Sequence, residues 1–444
     1  MALTVGCALI VSHASAQTDV GVESLSEALA SAYENNPTLN AQRADLRATD
    51  EGVPQALSGY RPTITGSGQI SATQGSSYYP YSLSLTVEQP LYAGGRTVNG
   101  VNIAETAVLA GREVLRNTEQ TTLLDAAQAF MNLVEAQALV NLRRQNVDFL
   151  SQQGKAAQDR LNVGTGTKTD VAQANAAAAS GQADLNTAVA NLNTAVAVYE
   201  QVIGHHPRSL GAAKPIDNLL SKTLNAALAD AMTLHPQILA AGYNIDIADY
   251  NVKVAEGALL PTLSVAGTLT HSEGSGSAAA NGDSASAVAR LSVPIYQGGE
   301  AASKVRQAKE SLGERRIDLD QARDAVREAV ISAWGSLDAA RAQISAAQSE
   351  VSAENLALSG VIEEQKVGQQ TLLDVLNSQQ SLLNAQVTQV EAQHDRVIAS
   401  YTLLAAIGKL DAETLGLNVP IYDPTQHYTQ VRDKWGGLRT PDGR

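Results

Sequence analysis

The chain has 444 residues, with 31 Lys and Arg against 45 Asp and Glu, a formal net charge of −14. That balance excludes a protein built to wrap nucleic acid, whose phosphates call for a basic excess. Aromatic residues make up only 4% while the hydrophobic total is 44%, the composition of long, closely packed Ala- and Leu-rich helices rather than of a round core.

Mean hydropathy is −0.11, and no internal run reaches the roughly 18 apolar residues of a membrane helix. A polytopic helical membrane protein is excluded; a membrane β-barrel, whose strands alternate, is not. At the N-terminus, apolar Leu3 to Val11 and the small residues Ala14-Ser15-Ala16 before Gln17 predict a secretory signal peptide over 1–16, without the usual basic start. Cys7, the one cysteine, falls inside it, so the mature chain has no disulfide or Cys metal site to offer.

Ser24-x-x-Glu27 is a capping box that opens a short helix. A second helix runs from Asn36-Pro37 to about residue 60. Two alternating segments follow, about 63–73 and 81–89. In the first, Ile64, Gly66, Gly68 and Ile70 alternate with Thr65, Ser67 and Gln69; in the second, Leu83, Leu85 and Val87 alternate with Ser84, Thr86 and Glu88. Period two gives one apolar and one polar face, and a Ser/Thr-rich polar face suits a strand of a water-filled barrel. A half-buried soluble sheet produces the same alternation. The loose polar connector from Ser76 to Pro80, and Tyr60, Tyr81, Tyr92 and Tyr296 at strand ends, favour the membrane, where interfacial aromatics belong. No proline lies between Gly95 and Val163, which predicts a rod of roughly 100 Å. The Val163-Gly164 turn folds it into a hairpin over about 97–203.

The pattern then recurs. Asn36-Pro37 returns as His235-Pro236, Pro90-Leu91-Tyr92-Ala93-Gly94-Gly95 as Pro294-Ile295-Tyr296-Gln297-Gly298-Gly299, and Asn162-Val163-Gly164 as Lys366-Val367-Gly368. The offset changes once, from 199 to 204, which one five-residue insertion explains. The chain is thus expected to hold a first repeat over 22–210 and a second over 221–417, the latter with strands about 262–270 and 286–293, a loose Gly/Ser/Ala-rich loop over 271–285, and a hairpin about 301–407. Val330, Leu337, Ile344, Val351 and Leu358 recur every seven, as do Leu376, Leu383, Val390, Val397 and Leu404. A 3.5-residue seam demands a partner helix. The tail 418–444, with Pro420, Pro424, Pro441 and Gly436-Gly437, reads as poorly packed. The fold class expected is mainly α with membrane β. Four strands cannot close a barrel, and open edges in lipid leave backbone groups unpaired, so several protomers must contribute; three would supply twelve strands.

Little points to chemistry. Gly164-Thr165-Gly166-Thr167-Lys168-Thr169 lacks the Gly-Lys-Ser/Thr step of a phosphate loop. The histidines form no His-Glu-x-x-His or spaced cluster; His205-His206 before Pro207 is expected to meet a helix C-terminus. No enzyme, cofactor or metal is expected. Asp170 and Asp374 follow turns and open helices, where a carboxylate caps free N–H groups.

The duplicated strand–strand–long helix–turn–helix unit, the Pro-Leu-Tyr-x-Gly-Gly exit from the strands and the Val-Gly-x5-Asp-Val tip resemble the TolC-like outer membrane channel family over about 22–417. The segment from Val367 to Asn377 looks most like its type I secretion branch. The resemblance implies a homotrimer in the outer membrane of a Gram-negative bacterium. A twelve-stranded barrel would be continuous with a twelve-helix periplasmic tunnel that meets a periplasmic adaptor and an inner-membrane ABC exporter or efflux pump. It implies a pore constriction at Asp374, with Asn377 where the family has a second aspartate and Gln370 beside them. Asp170 matches a tip aspartate that ties hairpins together, but its usual tyrosine and arginine partners fall at Gln365 and Gln370. Val163, Gly164 and Lys168, with Val367, Gly368 and Gln369, would form the gate and adaptor-facing tip. The leading expectation is a type I secretion duct; the alternatives are the same channel in multidrug efflux and, from another class, a periplasmic coiled-coil scaffold.

Overall fold

The computed structural model describes residues 22–72, 74–75, 79–274 and 281–443. The expected signal peptide with Cys7, and the connector residues Ser76, Ser77 and Tyr78, lie outside the described residues.

The first half opens with α1 (Leu25–Asn35), α2 (Pro37–Asp50) and α3 (Gly52–Leu57). Ser24 and Glu27 form the full capping box at the start of α1. Asn36 ends α1 and caps α2 by accepting from Thr38 N and Leu39 N, with Pro37 in the first helical position. The second helix does not run unbroken to residue 60: α2 stops at Asp50. Pro54 has no N–H to give the Asp50 carbonyl and its ring crowds that turn, so the chain restarts as α3. Strands β1 (Thr63–Ile70) and β2 (Tyr81–Ala93) lead into α4 (Arg96–Asn162), which is followed by α5 (Lys168–Ile203).

The second half repeats the order: α6 (Leu224–Leu234), α7 (Pro236–Gly257), β3 (Thr262–Glu273), β4 (Gly282–Ser292), α8 (Glu300–Lys366) and α9 (Leu372–Ile407). Helices α4 and α8 are both 67 residues long, about 100 Å at 1.5 Å per residue. Their partners α5 and α9 are both 36, so each hairpin has one arm that continues past the other to the sheet. The loose loop expected over 271–285 is shorter than the composition suggested: β3 continues to Glu273 and β4 begins at Gly282, because the register pairs Ser272 with Gly282 and His271 with Asp283.

The sheet is antiparallel in the order β1-β2-β3-β4. Its register puts Ser67 beside Ser84 and Thr86 beside Thr268, with hydroxyl oxygens 2.7 and 3.2 Å apart. The opposite face carries Leu83, Leu85, Leu269 and Leu291, all exposed. β1 and β4 are the outer strands, each paired on one side only among the described residues.

The core sits at mid-length of the rods. There α1, α2, α4, α5, α9 and Leu410–Leu417 bury Leu29, Leu39, Leu123, Phe130, Tyr199, Ile203 and Leu404. A second cluster joins α6 and α7 to the seam of α8 and α9 through Val330, Ala333, Leu337, Ala340 and Leu403. Val330 and Leu337 are the heptad positions of α8, and Ala333 and Ala340, three residues on, let the backbones approach; Leu403 lies one residue before the α9 heptad position Leu404, which belongs to the first cluster.

The first part of the tail, to about Val431, is better packed than expected, while residues 435–443 are exposed throughout. Tyr422 N donates to Tyr33 Oη at 3.0 Å, and the Arg43 guanidinium lies 4.5 Å from the centre of the Tyr33 ring and 5.2 Å from that of Tyr422. Helix α10 (Gln426–Val431) follows, with His427 Nδ1 3.0 Å from the Asp50 carboxylate and Val431 buried. Burial is the larger influence on Asp50 and raises its pKa, with His427 opposing. His205 and His206 do not rest on helix-end carbonyls of α5 either. His205 Nε2 lies 3.2 Å from the buried Glu23, which also accepts from Tyr199 Oη at 2.7 Å, and His206 pairs with Glu200.

Candidate functional site

The hairpin tips are made by a repeated local device. Helix α4 ends at Asn162 with Val163 as its C-cap, and Gly164 takes φ of 80°, a left-handed turn that glycine adopts without steric cost. Thr165 N and Gly166 N then return to the Arg160 carbonyl. In the second hairpin Gly368 also has φ of 80°, and Gln369 N bonds the Glu364 carbonyl at 2.9 Å.

Each following helix opens on a reciprocal capping box. Thr167 N and Oγ1 donate to Asp170 at 3.0 and 2.8 Å, and Asp170 N returns a bond to Thr167. Thr371 does the same with Asp374 at 2.9 and 2.6 Å. These bonds from Thr371, side chain first and backbone second, hold the Asp374 carboxyl below the ordinary carboxylate range. The capping reading of both aspartates therefore stands. It leaves Asp374 ionised at neutral pH, with Asn377 exposed three residues on, one helical turn away.

The structure brings the two tips side by side. Leu150, Ala157 and Ala174 of the first hairpin bury Leu372 and Leu376 at the start of α9. Phe149 reaches across to the cluster of Leu358, Val375 and Leu382. A polar bolt lies one layer away: Gln379 Nε2 donates to Asn146 Oδ1 at 3.0 Å, and both residues are buried. Neither member of this bolt carried a sequence signal. A Gln and an Asn in polar-rich helices look like any other pair until the packing places them together.

Within one chain Asp170 is not joined to Gln365 or Gln370. Gln365 instead faces Arg160, whose Nη2 is 3.5 Å from Gln365 Oε1, and Gln365 Nε2 is buried without a partner. Val163 is 74% and Val367 71% exposed, and Leu373 is exposed as well. Lys168 and Gln369 are also exposed, and Gln370 is half-buried. The tip surface thus exposes apolar side chains beside polar ones.

No helix among the described residues is long and apolar enough to cross a membrane. A sheet with one hydroxyl-lined and one apolar face, set at the end of paired rods of about 100 Å, is instead the architecture of an outer membrane channel subunit. A model of the outer membrane efflux protein family matches residues 28–205 and again 227–409. The chain belongs to this family of TolC-like outer membrane channels.

The chain is 46% identical over 426 residues to the outer membrane efflux protein BepC of Brucella suis, covering 95% of this chain and 93% of BepC. It is 26% identical over 428 residues to the outer membrane protein TolC of Escherichia coli, covering 90% and 86%. Among solved structures, the Campylobacter jejuni CmeC outer membrane channel superposes with a TM-score of 0.78 at 17% identity, over 92% of this chain and 89% of that one. The protein is accordingly an outer membrane protein with a large periplasmic helical domain, a transport conduit rather than an enzyme. Family membership implies a tripartite assembly with an adaptor and an inner-membrane transporter.

Proposed function

We propose that three copies of this chain form an efflux channel. Each contributes four strands to one twelve-stranded barrel and two hairpins to one periplasmic tunnel. The observation that carries the efflux reading is the near full-length identity to a protein named for efflux. This favours efflux over the type I duct that leads the sequence reading. The two halves, about 22–210 and 221–417, act as structural repeats that put six equivalent hairpins around the axis. The open edges of β1 and β4 are what the neighbouring copies would cover, since unpaired N–H and C=O groups cannot remain in lipid.

At the periplasmic mouth, Asp374, Asn377 and Gln370 line the constriction. A ring of three ionised carboxylates favours cations there. Val163, Gly164, Lys168, Asp170, Gln365, Val367, Gly368 and Gln369 form the gate and the adaptor contact, with Gln in place of an ionic latch. A type I secretion role is the second reading, favoured by the segment from Val367 to Asn377.

Cross-linking from a cysteine placed at Gln369, followed by identification of the captured complex, separates the two. A proton-driven pump with its adaptor supports efflux. An ABC exporter, with loss of a secreted protein from the medium on deletion, supports secretion.

A further inference from the structure

The last residues of the tail form a patch that the channel reading does not use. Beyond α10, Arg432 pairs with Glu105 of α4 at 3.1 Å. Arg61 then donates from Nη1 to the Lys434 carbonyl at 2.8 Å, and its guanidinium lies 4.7 Å from the centre of the Trp435 ring. Arg61 stands two residues before Thr63, the first residue of β1. Trp435 is therefore held near the base of the sheet, against the side chain of a residue whose backbone is about 7 Å from Thr63.

What is held there is apolar and uncovered: Trp435 is 74% exposed and Leu438 fully so. Tyr60, Leu91 and Tyr92, also exposed, lie at the same end of the strands. Around the patch the local charge is reversed. Among residues 432–443, Arg432, Lys434 and Arg439 stand against Asp433 and Asp442, in a chain of net −14. An indole beside cations, at the level where a membrane sheet meets its helical base, matches the interfacial region of a bilayer. There an amphipathic ring sits among headgroups and Lys or Arg pairs with lipid phosphates.

We propose that residues 434–439 are a membrane-interface anchor. Trp435 and Leu438 enter the headgroup region of the leaflet that faces the periplasm, and Lys434 and Arg439 engage anionic phospholipid. The tail then acts as a strap: fixed at the core by Tyr422 and at Asp50 by His427, it sets the height of the sheet in the bilayer. This rests on the sheet lying in the outer membrane.

The two tryptophans make the test direct. Trp334 lies some 50 Å down α8 from the sheet and packs against the Val330–Leu337 cluster. The full-length protein is reconstituted in vesicles of phosphatidylethanolamine and phosphatidylglycerol, with or without bromine on the acyl carbons nearest the headgroup. The fluorescence of the wild type minus that of W435F reports Trp435. It is expected to fall about two-fold in brominated vesicles, while W435F alone, reporting Trp334, stays unchanged. In a K434Q/R439Q variant the quenching should weaken and lose its dependence on phosphatidylglycerol. Conductance through the same vesicles reports insertion independently. Conducting channels with unquenched Trp435 overturn the anchor and leave the channel reading intact; a protein that does not enter vesicles overturns both.

Discussion

Replacing Asp217 with Ala tests whether charge holds the connector between the two halves of the chain. Asp217 opens a single 3-10 turn, Asp217–Leu219, between α5 and α6. Its Oδ1 accepts from Arg341 Nη2 at 3.0 Å, and its Oδ2 accepts from Arg396 Nη2. The two partners are not equivalent. The Arg396 side chain is 10% exposed and its Nη1 has no partner, whereas Arg341 is 44% exposed and also pairs with Asp338. Removing the carboxylate therefore strands a buried guanidinium.

Breaking a fully buried pair costs about 3–5 kcal/mol and breaking a surface pair about 0–1. Asp217 is 46% exposed, so solvent screening puts the cost between these, at about 2 kcal/mol, or roughly 30-fold in the local opening equilibrium. Native-state hydrogen exchange reads this at Leu219 and Leu220, whose N–H groups bond the Ile216 and Asp217 carbonyls. D217A should exchange faster there by that factor at pH 7, R396A comparably, and R341A much less. The Arg396 bond, the larger cause, and the Arg341 bond lower the Asp217 pKa below 3.8. The stabilisation is thus complete above the unfolded carboxylate pKa and lost as pH falls through the folded one, so wild type and D217A converge in strong acid. Unchanged exchange in D217A at pH 7 would refute the reasoning.

Three further outcomes are expected. Asp374→Ala removes one carboxylate per subunit from the proposed constriction, so cation preference, read as the reversal potential in a salt gradient, should fall along with divalent block; unchanged values exclude Asp374 from the pore. Gly368→Ala meets no atom within 4 Å, so its cost is the left-handed backbone alone, about 1–2 kcal/mol, seen as faster exchange at Gln369; Gly368→Asn should lose less, and equal losses would point to a steric cause. Glu119→Gln should slow unfolding at pH 7. Burial, the largest influence, raises the Glu119 pKa although its carboxylate accepts from Ala412 N at 2.8 Å. Its ionised form therefore weakens the folded state above the folded pKa, and the gain from Gln should vanish below the ordinary value near 4.5; a gain that persists in acid contradicts this.

Much of the architecture was legible because it is periodic. Val330 and Leu337 announced the buried seam of α8 at spacing seven, and the strands announced theirs at spacing two. Local chemistry was legible too: Ser24 with Glu27, and the aspartates after each tip, read directly as caps. What escaped were contacts between residues far apart in sequence. The tail looked loose because Pro420, Pro424 and Gly436-Gly437 advertise irregular backbone; its end is exposed, yet up to Lys434 the irregular backbone is tied down where Tyr33, Arg43, Asp50 and Arg61 each supply it a partner. The bolt of Asn146 and Gln379 and the pairing of Asp217 with Arg396 were invisible for the same reason: single polar pairs leave no period. At the tip Asp170 and Asp374 are the caps that the sequence announced, and within one chain Asp170 makes no bond to Gln365 or Gln370.

Imaging of the detergent-purified protein bears most directly on the central claim. From the 67-residue helices and a membrane barrel, the account predicts a three-fold symmetric rod of roughly 140 Å that conducts ions once in a bilayer. A particle without three-fold symmetry, or a protein that stays soluble without detergent and never conducts, would contradict it.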